Sequence, residues 1–385
     1  MSINYAGVRR LPDRKRVSER LLRLRNGSLK AVRAQRDDSS FLLATWNLRD
    51  FDSDKFGWPE RLTEAFYYIA ETISCFDLVA VQEVKQDVDP LERLVNILGR
   101  SEWDYLLTDA TEGSSGNGER MAFLYRRSKV RFRRIAGEVV LPQGQLIVAP
   151  EEVDPKKVGS GEAAPEAAPD RLQFARSPYV VAFQSGWFHF SLCTVHIYYG
   201  AEEGAKLKRR AAEIRQLSKF FADRQDREVK AARAANKARG LPVEDVGRDP
   251  GVENYILLGD FNVVSPEHET MQALESRGFM VPEAIDGDHI PDRDHFYDQI
   301  AVRVKDDRFK VTAGGIVPRF ADVFTDDDEP VYRKVIRRPE GTDEDATGEQ
   351  TYRDWRSWQI SDHSLLWIKI ESDFADDYLD GLGDD

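Results

Sequence analysis

Apolar and polar positions alternate along this chain in short blocks. From residue 41, FLLATWN and FDLVAVQE read as apolar strands, and the intervening RLTEAFYYIAETI sets Leu62, Phe66, Ile69 and Ile73 on one face at helical spacing. MAFLYRR, YVVAFQ, WFHFSLCTVHIYY, NYILLGDFN, FYDQIAVRV and SLLWIKI follow as further strands. Several are consecutive and alternate, WFHFSLCTV most clearly, which predicts antiparallel sheets with one face covered. The pattern predicts a mixed α/β (α+β) fold in which two sheets pack together and helices flank them.

Residues 1–40 stand apart, with eleven Lys/Arg against four Asp/Glu. A helix start at Pro12–Asp13, a stripe of Val17, Leu21 and Leu24, and a stop at Gly27 predict a basic N-terminal helical extension that packs on the body. The alternative is an arm that helps to hold a polyanion. The body, 41–371, carries insertions near 142–173, 202–252 and 325–356, and an acidic tail occupies 372–385. The first insertion is Pro/Ala/Glu/Gly-rich and reads as a loop. The second reads as a long basic helix from Glu202 to about Arg239, core-facing in its first half and solvated in its second. The third reads as a charged loop.

A formal net charge of −13 argues against a protein that coats nucleic acid or anionic membrane over its whole surface. Any polyanion must meet a local patch or bound cations. Cys75 and Cys193 sit in apolar surroundings and read as small buried hydrophobes without a disulfide framework. No apolar run has the length of a signal-peptide core or a membrane span, so a soluble cytoplasmic protein is expected.

Chemistry concentrates where apolar runs end. ATWNL delivers Asn47, LVAVQEV Gln82 and Glu83, CTVHIY His196, LLGDFN Asp260 and Asn262, HFYDQI Asp298, and QISDH Asp362 and His363. In an extended chain Asp260 and Asn262 share a face while Phe261 turns into the core. Each residue singly has a structural explanation, a turn former or a satisfied core histidine. Six segments presenting acids, amides or histidines, and no buried lysine, point instead to one site at a common sheet edge. Carboxylate and amide oxygens suit Mg²⁺, with Mn²⁺ as the alternative, and two histidines can supply a general base and a general acid. Phosphoester hydrolysis needs that combination.

The same residues carry a family resemblance. ATWNL, LVAVQEV, ERMAFLY, FARSPYVVAF, CTVHIY, LLGDFN, YDQI and ISDH, in this order, resemble the motifs of the endonuclease/exonuclease/phosphatase superfamily, most closely its deoxyribonuclease-I-like branch. The resemblance implies a four-layer α/β/β/α sandwich of two mostly antiparallel sheets, with a cleft at one sheet edge. It implies Asn47, Glu83 and Asp362 at the metal, His196 and His363 as paired histidines, and Asp298 orienting the second of them. Asp260 and Asn262 match the pair that binds the scissile phosphate and positions water, and Arg176 matches a phosphate-contacting arginine. For the acid that orients His196, the loop before ERMAF offers Asp109 or Glu112. Asp109 is favoured, and Glu119 and Arg120 are read as structural. His363 or Asp260 would accept the water proton and His196 would protonate the leaving oxygen.

Local departures narrow the substrate. The histidine of TVHIY argues against the abasic-site branch, and YDQI departs from the inositol-polyphosphate phosphatases. An intracellular nuclease acting on DNA is the leading expectation, with nucleic acid as substrate partner. Alternatives are a phosphatase or phosphodiesterase for a small or lipid phosphoester, and an inactive binding module on the same fold.

Overall fold

The computed structural model of the chain describes residues 3–53, 57–111, 118–149, 170–244, 246–287, 296–336 and 348–383. Its strands are β1 (Ser40–Phe51), β2 (Leu78–Val84), β3 (Trp103–Leu107), β4 (Arg120–Arg126), β5 (Arg131–Glu138), β6 (Ile147–Ala149) and β7 (Asp170–Leu172). They continue with β8 (Tyr179–Ser185), β9 (Phe188–His196), β10 (Tyr255–Asp260), β11 (Asp298–Arg303), β12 (Val311–Val317) and β13 (Leu365–Glu371). One sheet of six strands has the order β12-β13-β1-β2-β4-β3, and a second of five has the order β11-β10-β9-β8-β5. Each contains one parallel pair, β1 with β2 and β9 with β10, in an otherwise antiparallel ladder.

Period-two alternation builds the layers. In β1, Phe41 and Leu43 point between the sheets, where they join Phe123, Phe183, Phe190, Ile256 and Leu258. Leu42, Ala44, Trp46 and Leu48 point the other way, onto α1 (Arg14–Asn26), α2 (Ser28–Ala34), α3 (Thr63–Ile73) and α4 (Asp89–Leu98). The second sheet buries Cys193, Val195, Tyr255 and Leu257 against α5 (Gly204–Arg239) and α6 (Glu269–Glu275). The result is a helix/sheet/sheet/helix sandwich.

The N-terminal helices belong to this packing. Val17, Leu21 and Leu24 are buried in the core of the first helical layer. Their arginines face acids of the body: Arg16 lies 3.0 Å from Glu64 and Arg36 3.3 Å from Asp77. Arg25 and Arg33 both reach Glu71, and Arg20 reaches Asp328. The segment is therefore an integrated extension, with much of its positive charge neutralised inside the molecule.

Two insertions differ from their sequence readings. Within the stretch near 142–173, β6 and β7 pair as a two-stranded ribbon, while 150–169 lie outside the described residues. The charged stretch near 325–356 is helical over Asp326–Asp328, Glu329–Tyr332 and Gly348–Gln359, and 337–347 lie outside. Tyr332, Tyr352 and Trp355 explain the helices: they stack on one another and on Phe324 in the core. The tail likewise forms a helix over Ala375–Gly383, with Phe374 buried at its root. Both cysteines are buried and free. Among the described residues, no helix is long and apolar enough to cross a membrane.

Candidate active site

Strand register brings the polar residues together. The parallel β9–β10 ladder sets His196 beside Asp260, and the antiparallel β10–β11 ladder sets Asp260 beside Asp298. Gly259 makes this approach feasible: its φ is +131°, and a Cβ there would meet the Val195 carbonyl oxygen at 2.2 Å. The chain leaves the strand at Asp260, whose Oδ1 accepts from the Asn262 amide at 2.9 Å, and Asn262 adopts φ +51°. The turn and the shared face therefore coexist. Phe261 is buried in the core as the alternation predicts.

Irregularities in the first sheet aim its carboxylates. Glu83 (φ +62°) and Asp50 (φ +44°) lie where the β2–β4 and β1–β2 registers shift. Left-handed backbone costs a non-glycine residue roughly 1–2 kcal/mol, and such bulges re-aim side chains at functional edges. Asn47 bridges the sheets, its Nδ2 donating to Glu83 Oε1 at 2.8 Å and to Asp260 Oδ2 at 3.2 Å.

Two imidazole–carboxylate pairs flank Asp260. His196 Nδ1 lies 2.8 Å from Glu119 Oε2, and His363 Nδ1 lies 2.7 Å from Asp298 Oδ2. Their Nε2 atoms converge on Asp260 Oδ2, at 3.6 Å and 3.7 Å. Burial pushes the Asp260 carboxyl up, but the imidazoles of His363 and His196 outweigh it and hold the group below its usual range. Burial presses the His363 imidazole down, yet Asp298 and Asp260 raise it to about 10. Burial and Arg176 likewise oppose the charged form of His196, while Glu119 and Asp260 carry its pKa upward. The resting state at neutral pH is a carboxylate between two imidazolium rings.

Beside this lies an acidic cluster. Asp50, Glu83 and Glu119 present carboxylate oxygens within 4.8 Å of one another. Burial, opposed by His196 and reinforced by Glu119 and Asp50, raises the Glu83 carboxyl. Such crowding of hard oxygen donors fits a divalent cation, which would relieve the repulsion. Lys85 partly balances the cluster, its ammonium 2.5 Å from Asp50 Oδ1 and 3.8 Å from Glu119 Oε1.

A sequence profile of the Endonuclease/Exonuclease/phosphatase family matches residues 44–363, most of the chain and every strand that contributes to this site. The chain belongs to that family. No curated protein matches its sequence significantly. Solved structures of endonuclease/exonuclease/phosphatase folds do resemble it. A Bacteroides thetaiotaomicron mannosyl-6-phosphatase is 17% identical (TM-score 0.47), covering 86% of this chain and 99% of its own. The human Nocturnin catalytic domain with bound sulfate is 13% identical (0.47; 88% and 98%). D. rerio TDP2 complexed with single-strand DNA product is 12% identical (0.43; 86% and 99%). At these identities the likeness concerns the fold alone.

Against the family pattern, Asn47, Glu83, His196, Asp260, Asn262, Asp298 and His363 converge, and two expectations need correction. Asp109 does not orient His196. Its side chain is 90% exposed and pairs with Arg120 at 3.3 Å, while Glu119 takes the position at His196. The reason is topological: β4 runs antiparallel to β2, so the residue just before β4, not the loop ahead of it, meets the edge where β2 ends. Glu112 lies outside the described residues. Asp362 is outside the acidic cluster, its side chain 47% exposed and 3.5 Å from Arg49, and Asp50 takes the third place.

Arg176 is near the expected position but committed to Glu119, Nε to Oε2 at 2.7 Å. Burial pushes the Glu119 carboxyl up, but His196, Arg176 and Lys85 outweigh it and hold it well below its usual range. Lys85 is a further departure, because the sequence reading contained no buried lysine and its side chain is only 11% exposed. Arg210 also escaped notice. Fully buried on α5, it donates to the carbonyls of Asn262 at 3.0 Å and Ala201 at 2.6 Å, fixing the turn that carries Asn262. Its signal was an arginine on the core-facing stripe of a helix, a position that must find buried acceptors.

Proposed function

We propose that the chain is a divalent-metal-dependent phosphoester hydrolase, an intracellular nuclease cleaving phosphodiester bonds of DNA by in-line attack of water. The observation that carries this reading is the convergence of both imidazole Nε2 atoms on Asp260 Oδ2, beside an acidic cluster suited to a cation. Mg²⁺, or Mn²⁺ in its place, would be held by Glu83 and Asp50 with Asn47 adjoining. When bound, the ion neutralises charge on the phosphoryl oxygens.

The protein groups divide the proton work. Asp260, anionic between two cations, accepts the proton of the attacking water as the new phosphorus–oxygen bond forms. His196 Nε2 delivers its proton to the leaving oxygen as that bond breaks, and Asp260, 3.6 Å away, can return a proton to it. His363, held protonated by Asp298, donates to a phosphoryl oxygen; its raised pKa makes it a poorer base than Asp260 at neutral pH. Arg176 would bind phosphate alongside Asn262.

A specific observation favours a second reading, a phosphatase for a small phosphoester. The arginines of the N-terminal extension face internal acids and do not form a basic arm at the cleft. Against it, Arg49 beside Asp362 and Arg209 at the start of α5 add local positive charge. Turnover of plasmid, single-stranded DNA, RNA and phosphomonoesters with Mg²⁺ and Mn²⁺ separates the readings. A nuclease loses affinity steeply with salt. A flat salt response with robust phosphomonoester turnover would replace the nuclease reading by the phosphatase one.

A further inference from the structure

Four arginines meet at the end of the first sheet remote from the catalytic edge. Arg36 precedes β1 and Arg126 closes β4, whereas Asn47 and Glu119 lie at the opposite ends of those strands. A strand of this length spans roughly 20 Å. With Arg25 of α1 and Arg33 of α2, they line a cavity of about 710 Å³.

The charges there do not cancel. Glu71, fully buried, is shared by Arg25 at 2.8 Å and by Arg33. Asp77, also buried, is shared by Arg36 at 3.3 Å and Arg126 at 3.2 Å. Both carboxylates have other donors as well: Tyr5 Oη on Glu71, and the Leu42 amide on Asp77 at 3.0 Å. The remaining acid on the wall, Glu102, is 39% exposed. Four guanidiniums against three carboxylates leave an excess of positive charge in a partly enclosed space of reduced dielectric, where an anion is attracted more strongly than at an open surface.

The rest of the wall is apolar. Ile3, Val8, Leu21, Leu98 and Trp103 face the cavity, and so does Leu22. Leu22 is 57% exposed and lies outside the core, although its neighbours Leu21 and Leu24 are buried. An apolar side chain placed there adds little to packing and much to the lining. Apolar walls with a few convergent charged groups are the composition of a small-molecule site.

We propose that this cavity binds a small amphipathic anion, a carboxylate or phosphomonoester head on an apolar body, separately from the catalytic cleft. The head lies among the arginines and the body lies against Leu22, Leu98 and Trp103.

The test is isothermal titration of the full chain with sodium octanoate and with octyl phosphate, with octanol and inorganic phosphate as single-feature controls. At least one amphiphile should bind saturably at one per chain, and both controls at least tenfold more weakly. Leu22→Glu should weaken binding at least tenfold, while Leu22→Lys, an equal loss of apolarity with opposite charge, should bind more tightly than Leu22→Glu. Melting temperature and phosphoester turnover should be unchanged in both variants, since Leu22 is exposed and remote from the catalytic edge. The proposal is overturned if neither amphiphile binds saturably, if octanol or phosphate alone binds as well, or if the two variants bind alike.

Discussion

Glu213 offers a quantitative test of the electrostatics beneath the site. It lies on α5, fully buried, with Oε1 accepting from the Ala175 amide at 3.1 Å and no hydrogen-bond partner for Oε2 among the described residues. Burial raises its carboxyl from 4.5 to about 7 against the opposing pull of the Ala175 amide, Arg209 and Arg176. A carboxyl raised on folding binds its proton more tightly in the native state. Its neutral form costs nothing extra below pH 4.5, the native state loses stability as pH rises from there to about 7, and the loss is then constant. At about 1.4 kcal/mol per pKa unit, the full penalty is about 3 kcal/mol. Glu213→Gln keeps an acceptor for Ala175 and cannot ionise. For a chain of this size, with about 2 cal/mol/K of unfolding entropy per residue, the variant should melt about 4 °C above the parent at pH 8.5 and level with it at pH 4.5. Scanning calorimetry across that range decides the matter. A difference that does not change with pH, or a variant less stable at pH 8.5, would refute the buried neutral carboxyl.

Other outcomes follow from the same geometry. Glu119→Gln should lower kcat by about a hundredfold or more, because it removes the charge that holds His196 protonated. Asp109→Asn should leave kcat near that of the parent, and the reverse order would restore Asp109 as the orienting acid. Gly259→Ala, forcing a Cβ against the Val195 carbonyl, should cost about 2–3 kcal/mol in denaturant unfolding and lower turnover by displacing Asp260. Unchanged stability would show that the strands can separate there. Glu83→Gln should raise the Mg²⁺ concentration needed for half-maximal turnover by tenfold or more, and an unchanged metal requirement would exclude Glu83 as a ligand.

The sandwich was legible because two-residue alternation in β1, β9 and β10 sorts side chains between the two sides of each sheet. What escaped were elements whose patterns carry little burial. β5 lies at a sheet edge and exposes several of its residues, and β12 is glycine-containing and also at an edge. Within the site, residues at the ends of central strands were visible because an acid or histidine after an apolar run is conspicuous. Glu119 stands before its run, in SGNGER, where it resembles an ordinary loop acid. Asp50 escaped for another reason. Only the bulge after Asn47 brings it toward Glu83, and a register shift has no signature in residue types alone. The N-terminal charge was plain in sequence, but its destination was not, since Glu64, Glu71 and Asp77 lie far away along the chain.

The most direct test of the central claim is cleavage of plasmid DNA by the full chain with Mg²⁺, with and without chelator, beside the His196→Ala variant. The account predicts nicking or linearisation that chelator abolishes and that His196→Ala lowers by two orders of magnitude or more, with an unchanged melting profile. The same absence of hydrolysis in the parent for plasmid, single-stranded DNA, RNA and phosphomonoesters, under Mg²⁺ and Mn²⁺ alike, would contradict it.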